Sequence, residues 1–154
     1  MPSIMAKLFR RILVPYDFST PAKQALEAAA DLAVPHGGRL LVLHAIAPFY
    51  PAAEGAPWIP PDDLIMAERR RLSTLVARVA GRRGIKADTK VVIGHPYERI
   101  MDAAKGMDSI VMATAGRTGL THLLIGSIAE KVVRHARVPV LTIRPGARRR
   151  AARR

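Results

Sequence analysis

The chain has no cysteine, which excludes disulfides, thiol nucleophiles and thiolate-held metals and fits a cytoplasmic setting. It also has no apolar run near the ~18–20 residues that a membrane span needs. The first residues, Met1-Pro2-Ser3-Ile4-Met5-Ala6-Lys7, lack the basic-then-apolar order of a secretory leader, so none is expected there. Aromatic residues make up only 5% of the chain. None falls among the arginines at its end, so that end offers no platform for stacking bases. Acidic residues are scarce too: 12 Asp and Glu stand against 25 Lys and Arg, a formal balance of +13. Five of the arginines lie in residues 147–154, and setting them aside lowers the balance only to +8. One domain over 1–146 with a basic, disordered tail over 147–154 is the expected layout. The surplus favours anionic partners such as nucleotides, nucleic acids or acidic surfaces.

Familiar catalytic signatures are missing as well. Ser127 follows Gly126 with no lysine between them, so there is no phosphate-binding Gly-x-x-x-x-Gly-Lys-Ser/Thr loop. No Gly-x-Gly-x-x-Gly dinucleotide fingerprint occurs, and no serine sits in a nucleophile elbow. The histidines, at 36, 44, 95, 122 and 135, are too scattered for a metal cluster by spacing. His44 and His95 fall at strand ends, where they either reach a cleft or serve turns and packing.

What is present is an alternation of short apolar runs with helical stripes. Arg11-Ile12-Leu13-Val14-Pro15 reads as a first strand, stopped by the proline that lacks an N–H. Asp17 and Ser19-Thr20-Pro21 are helix-start residues, followed by a small-residue stripe at Ala22, Ala25, Leu26, Ala29 and Ala33. Pro35 and Gly37-Gly38 end that helix. A second strand runs over 40–46. Five prolines then mark 47–61 as a long loop, a lid or flap. Asp62 or Asp63 is expected to cap a second helix, with Ile65, Leu72, Val76 and Val79 inward and Arg69, Arg70, Arg71, Arg78 and Arg82 outward. Strands at 89–93, 109–112 and 138–143, with helices between them, complete the order βαβαβαβαβ. Such alternation implies an α/β fold: a doubly wound parallel sheet with helices on both faces.

The most informative stretch lies between the fourth strand and the last helix. Gly116, Gly119 and Gly126 punctuate a loop that ends at Ser127, and Glu130 three residues on suggests a capping box with Ser127 at the N-cap. A helix start carries unbonded N–H groups and about half a positive charge. Glycines let backbone approach a ligand, and Arg117 adds a cation, so the stretch reads as a phosphate cradle. It also reads as an ordinary strand-to-helix loop with a capped helix. If the first and fourth strands adjoin where the strand order reverses, this loop meets Tyr16-Asp17 at the usual ligand position. Asp17 is then placed to accept from a ribose or an adenine edge.

Three places in this pattern resemble the universal stress protein family, and the resemblance spans about 11–144. They are Ile12-Leu13-Val14-Pro15-Tyr16-Asp17-Phe18-Ser19, Leu43-His44-Ala45, and Gly116 followed after nine residues by Gly126-Ser127. The last runs on into Glu130-Lys131-Val132 and Val138-Pro139-Val140. It matches the family's ATP-binding pattern of glycine, two residues, glycine, nine residues, glycine and serine or threonine. Ala113 stands where the first glycine belongs, and Ala115 where histidine is often found. The added methyl at 113 matters only if that backbone has positive φ or touches the ligand.

The resemblance implies a five-stranded, Rossmann-like sheet of adenine-nucleotide-binding type. It implies ATP, with magnesium an open question, held with little or no turnover. It also implies a homodimer paired through the last strand, which opens Val138-Pro139 and closes on Ile143. Carried over by position, Pro15, Tyr16, Asp17 and Ala45 line the adenosine end. Met112, Ala113, Gly116, Arg117, Gly126, Ser127 and Ile128 line the ribose and phosphates, and no catalytic residue is assigned. Three functions follow: an ATP-binding stress regulator, a slow ATP hydrolase, and a basic protein that binds nucleic acid or another acidic surface rather than nucleotide. Near the site only Asp17 is available as a base or metal ligand.

Overall fold

The computed structural model describes residues 3–48, 59–115 and 126–144. Its elements are α1 (Ile4–Leu8), β1 (Arg11–Pro15), α2 (Thr20–Ala33), β2 (Arg39–Ile46), α3 (Asp62–Gly81), β3 (Lys86–Ile93), α4 (Pro96–Ala104), β4 (Ser109–Ala113), α5 (Ser127–His135) and β5 (Val140–Ile143). The five strands form one parallel sheet in the order β3-β2-β1-β4-β5. The expected alternation is present, with the short α1 ahead of it. That helix buries none of its residues, so no apolar stripe announced it.

Period-two alternation sorts the strand side chains onto two faces. Ile12, Val14, Leu40 and Val42 pack against α2 and α3 through Leu26, Ala29, Leu72 and Val76. Leu13, Leu43, Ile110 and Met112 pack against α4 and α5 through Ile100, Ala104, Ala129 and Val132. Both faces are covered, which is why β1 and β4 read as unbroken apolar runs. Ala22, Ala25, Ala29, Ala30 and Ala33 of α2 are fully or almost fully buried and let that helix sit close to the sheet.

Four local expectations need correction. Pro61, not Asp62 or Asp63, is the N-cap of α3, and both aspartates sit in the first turn, where their charge favours the helix dipole without a side-chain cap. β3 begins at Lys86 rather than Thr89. It is an edge strand with alternating exposure, so Lys86, Asp88 and Lys90 belong to it although they break the apolar run. β5 begins at Val140 rather than Val138. Pro139, with no N–H to give, contributes only its carbonyl, which accepts from the Ile110 N–H at 2.9 Å. Finally, Gly126 is the N-cap of α5. Ser127 is its first residue and makes no side-chain cap. Glu130 turns the other way and accepts from Arg134 at 2.7 Å, so no capping box forms.

The Pro-rich stretch over 49–58, the glycine loop over 116–125 with Gly116 and Arg117, and the tail over 147–154 lie outside the described residues.

Candidate functional site

β1 continues into β2 and β3 on one side of the sheet, while β4 and β5 lie on the other, so the winding reverses between β1 and β4. A cleft of about 650 Å³ opens there, beyond the carboxyl ends of the strands. Pro15, Tyr16, Asp17, Ala45, Met112, Ala113, Gly126, Ser127 and Ile128 all line it. Every proposed site residue among the described ones is thus brought to a single cavity.

The loop after β1 is built by local hydrogen bonds. Tyr16 extends the ladder by donating its N–H to the Leu43 carbonyl at 2.8 Å. Asp17 Oδ1 accepts from the Ser19 N–H at 3.0 Å, an Asx turn. Ser19 Oγ accepts from the Ala22 N–H at 3.1 Å and caps α2. Between them Phe18 adopts φ +64°, a left-handed conformation that costs a bulky residue about 1–3 kcal/mol.

Neighbouring rings hold that conformation. Phe18 meets Tyr16 and His44 edge-on, at centroid distances of 5.3 and 4.8 Å. The Arg71 guanidinium lies 4.0 Å over its ring centre. His44 is buried, and its Nδ1 lies 2.8 Å from the Tyr16 carbonyl. A carbonyl can only accept, so Nδ1 donates to it. Burial, and next the charge of Asp17, push the Tyr16 hydroxyl above its ordinary value, so it stays protonated at neutral pH.

On the opposite wall the two ends of the glycine loop are stitched together. Thr114 donates its N–H to the Ile143 carbonyl at 3.0 Å and accepts from the Gly126 N–H at 2.6 Å. A Cβ at Gly126 would lie 3.1 Å from the Thr114 oxygen, tighter than ordinary contact, so the close approach of the two segments explains the glycine. Ala113 belongs to β4 and is not among the positive-φ residues, so its methyl strains nothing there.

Ser127, Ile128 and Ala129 open α5 and line the cleft. The first N–H groups of a helix lack partners within it. The cleft therefore has a donor-rich, dipole-positive wall facing the Tyr16-Asp17 loop. Among the described residues, no lysine or arginine lines it.

The sequence reading missed one carboxylate. Glu68 of α3 also lines the cleft. Its Oε2 is buried without a hydrogen-bond partner among the described residues, while Oε1 lies 3.9 Å from Arg71 Nη1. A signal existed: position 68 is three residues after Ile65 and four before Leu72, on the inward stripe of α3. Thr114 was missed because strand-end residues carry no periodic mark. Of the two strand-end histidines, His44 reaches the cleft, whereas His95 is the exposed N-cap of α4 and does not line it. Among the described residues, no group of histidine and carboxylate side chains is arranged to hold a metal ion. None of the described helices is long and apolar enough to cross a membrane.

Comparison with known proteins agrees with this architecture. The family model described as "Universal stress protein family" matches residues 8–144. A universal stress protein of Thermus aquaticus is 36% identical over 140 residues, covering 89% of this chain and all of that one. A solved universal stress protein family structure from Burkholderia pseudomallei is 34% identical, with a TM-score of 0.65 over 88% of this chain and 96% of that one. A family member from Arabidopsis thaliana, solved with AMP bound, is 22% identical, with a TM-score of 0.62 over 90% and 93% of the two chains. This chain belongs to the universal stress protein family.

Proposed function

We propose that this chain binds an adenine nucleotide, ATP by its glycine pattern, in the cleft between β1 and β4. It holds the nucleotide with little or no turnover, as a regulator in the stress response. The observation that carries this reading is that the start of α5 and the Tyr16-Asp17 loop line one cavity. The volume of about 650 Å³ lies within the ~300–1,000 Å³ range of small-molecule sites. Pro15, Tyr16, Asp17 and Ala45 take the adenosine. Met112, Ala113, Gly126, Ser127 and Ile128 take ribose and phosphates, joined by Gly116 and Arg117. The AMP of the Arabidopsis structure is of the same ligand class.

The residues fit such a ligand. Amide donors at the start of α5 suit phosphate oxygens, and the bare Cα of Gly126 keeps side-chain bulk off them. Asp17 and Glu68 offer carboxylate acceptors for the ribose or the adenine edge. Magnesium, if it accompanies ATP, would sit on the phosphates with these carboxylates nearby. Fast hydrolysis needs a base on the attacking water and cations on the transferred phosphoryl group. Asp17 is already engaged in its turn through Oδ1, which favours holding over turnover. Two copies pair through β5, an edge strand with one side unpaired among the described residues and with Leu141 40% exposed.

Thermal melting with ATP and with AMP tests the binding. A ligand at about 100 times its Kd stabilises by about 2.7 kcal/mol. For a chain of this size that raises Tm by about 5–10 °C. A midpoint that does not move with millimolar ATP or AMP overturns the reading.

A further inference from the structure

We propose that the opposite end of the sheet, where the strands begin, is a second anion site that takes a compact, multiply phosphorylated ligand without a base. It stands independently of the nucleotide cleft. Arg11 pairs in register with Arg39 across β1 and β2, and Arg39 pairs in register with Lys86 across β2 and β3. Three cationic side chains therefore open three adjacent strands in one row, spaced by the ~4.8 Å between strands. Like charges placed directly across a sheet repel and cost stability, so the row is an unfavourable arrangement for the empty fold.

The row lines a bowl of about 890 Å³, to which α1 adds Lys7, the turn before β1 adds Arg10 and the turn after α3 adds Arg83. Part of this charge is answered within the chain. Arg11 donates twice to Asp108, at 2.8 and 3.1 Å, and holds that carboxyl below its usual range, so the pair is intact at neutral pH. Arg83 pairs with Asp31 at 2.7 Å and with Glu27. Lys7, Arg10, Arg39 and Lys86 make no ion pair among the described residues. The ends of α2 and α3 abut the bowl, each worth about half a negative charge. Six cations set against three carboxylates and two helix ends leave about two positive charges unmatched.

The shape and lining select the ligand class. Among the described residues, no aromatic side chain lines the bowl to offer a surface for stacking a base. A concavity of this size admits a short chain of phosphates but not a duplex. The five-residue strand β1 alone separates bowl from cleft by about 15 Å, so one triphosphate cannot serve both.

Sodium tripolyphosphate is the probe, titrated by calorimetry into the full chain at low and high salt, with amide chemical shifts reporting which end responds. Expected are saturable binding that weakens with salt and shifts at residues 10–11, 39 and 86. In Arg39→Gln/Lys86→Gln the affinity falls at least tenfold. Both side chains are exposed and unpaired, so this variant folds, and relief of the repulsion raises its ligand-free Tm by about 1–3 °C. Arg10→Gln weakens binding by a smaller factor and serves as a second check. Unchanged affinity in the double variant, or shifts confined to residues 126–129, overturns the proposal. So does a preference for single-stranded oligonucleotide, or for anionic phospholipid vesicles, over tripolyphosphate of matched charge.

Discussion

Asp17 serves two roles through one carboxylate, and the two can be separated. Its Oδ1 fixes the turn into α2 through the Ser19 N–H, while its charge faces the cleft. In Asp17→Asn the side-chain oxygen can still take the Ser19 bond, so Tm is held within a degree or two. The lost charge weakens any donor it holds, and nucleotide affinity falls by about tenfold, the scale of a hydrogen bond to a charged group. Asp17→Ala loses the turn as well, so stability drops by about 1 kcal/mol and affinity falls further. Calorimetry and melting on both variants check this. Equal nucleotide affinity in Asp17→Asn and the parent would remove the carboxylate from the site. That Asp17 belongs to the turn into α2 was legible, because an aspartate two residues after a proline-stopped strand and just ahead of Ser19-Thr20-Pro21 is recognisable in one dimension. The left-handed Phe18 was not. Its conformation is held by Tyr16 of the same loop, His44 of β2 and Arg71 of α3.

At the scale of elements, α5 shows how a local motif can mislead. Ser127 and Glu130 have the spacing of a capping box, but the N-cap falls one residue earlier, on Gly126. The glycine is held there by its 2.6 Å bond to Thr114, a contact between the two ends of a loop that no local pattern encodes. With the cap displaced, Glu130 is free to pair with Arg134 at i+4. Such exposed pairs contribute about 0.3–0.5 kcal/mol. Glu130→Ala should therefore cost no more than ~0.5 kcal/mol and Ser127→Ala close to nothing, against about 1 kcal/mol for a lost cap. Urea unfolding of the two variants measures this directly, and a loss near 1 kcal/mol for Ser127→Ala would restore the capping box. Where burial sets the pattern, the sequence was readable: the stripe of α2, that of α3 at Leu72, Val76 and Val79 though not at Ile65, and the runs of β1 and β4 match the observed core. Where an edge position sets it, as in β3 with Lys86, Asp88 and Lys90, the apolar signal thins and the strand start was read three residues late.

Across the whole molecule, the parallel winding gives the sheet two chemically different ends and two edges, β3 and β5. The carboxyl ends meet the positive start of α5 and the Tyr16-Asp17 loop, whereas the amino ends gather arginine and lysine. This polarity follows from strand direction alone, since every strand points the same way and every crossover returns a helix antiparallel to it. Of the two edges, β3 carries Lys86, Asp88 and Lys90, whereas β5 is uncharged. An edge strand offers unpaired N–H and C=O groups to a second copy, and natural edges that avoid pairing place charge or proline along the strand. Here Pro139 precedes β5 and Arg144 follows it, but Val140, Leu141, Thr142 and Ile143 carry no charge. Pairing through this edge would cover Leu141. Leu141→Lys puts two like charges into the paired interface without touching the core, because Leu141 is 40% exposed in the single chain. Sedimentation should then show the parent as a dimer and the variant as a monomer, with Tm falling as protein is diluted only in the parent. A variant that remains dimeric at the same concentration would move the contact away from β5.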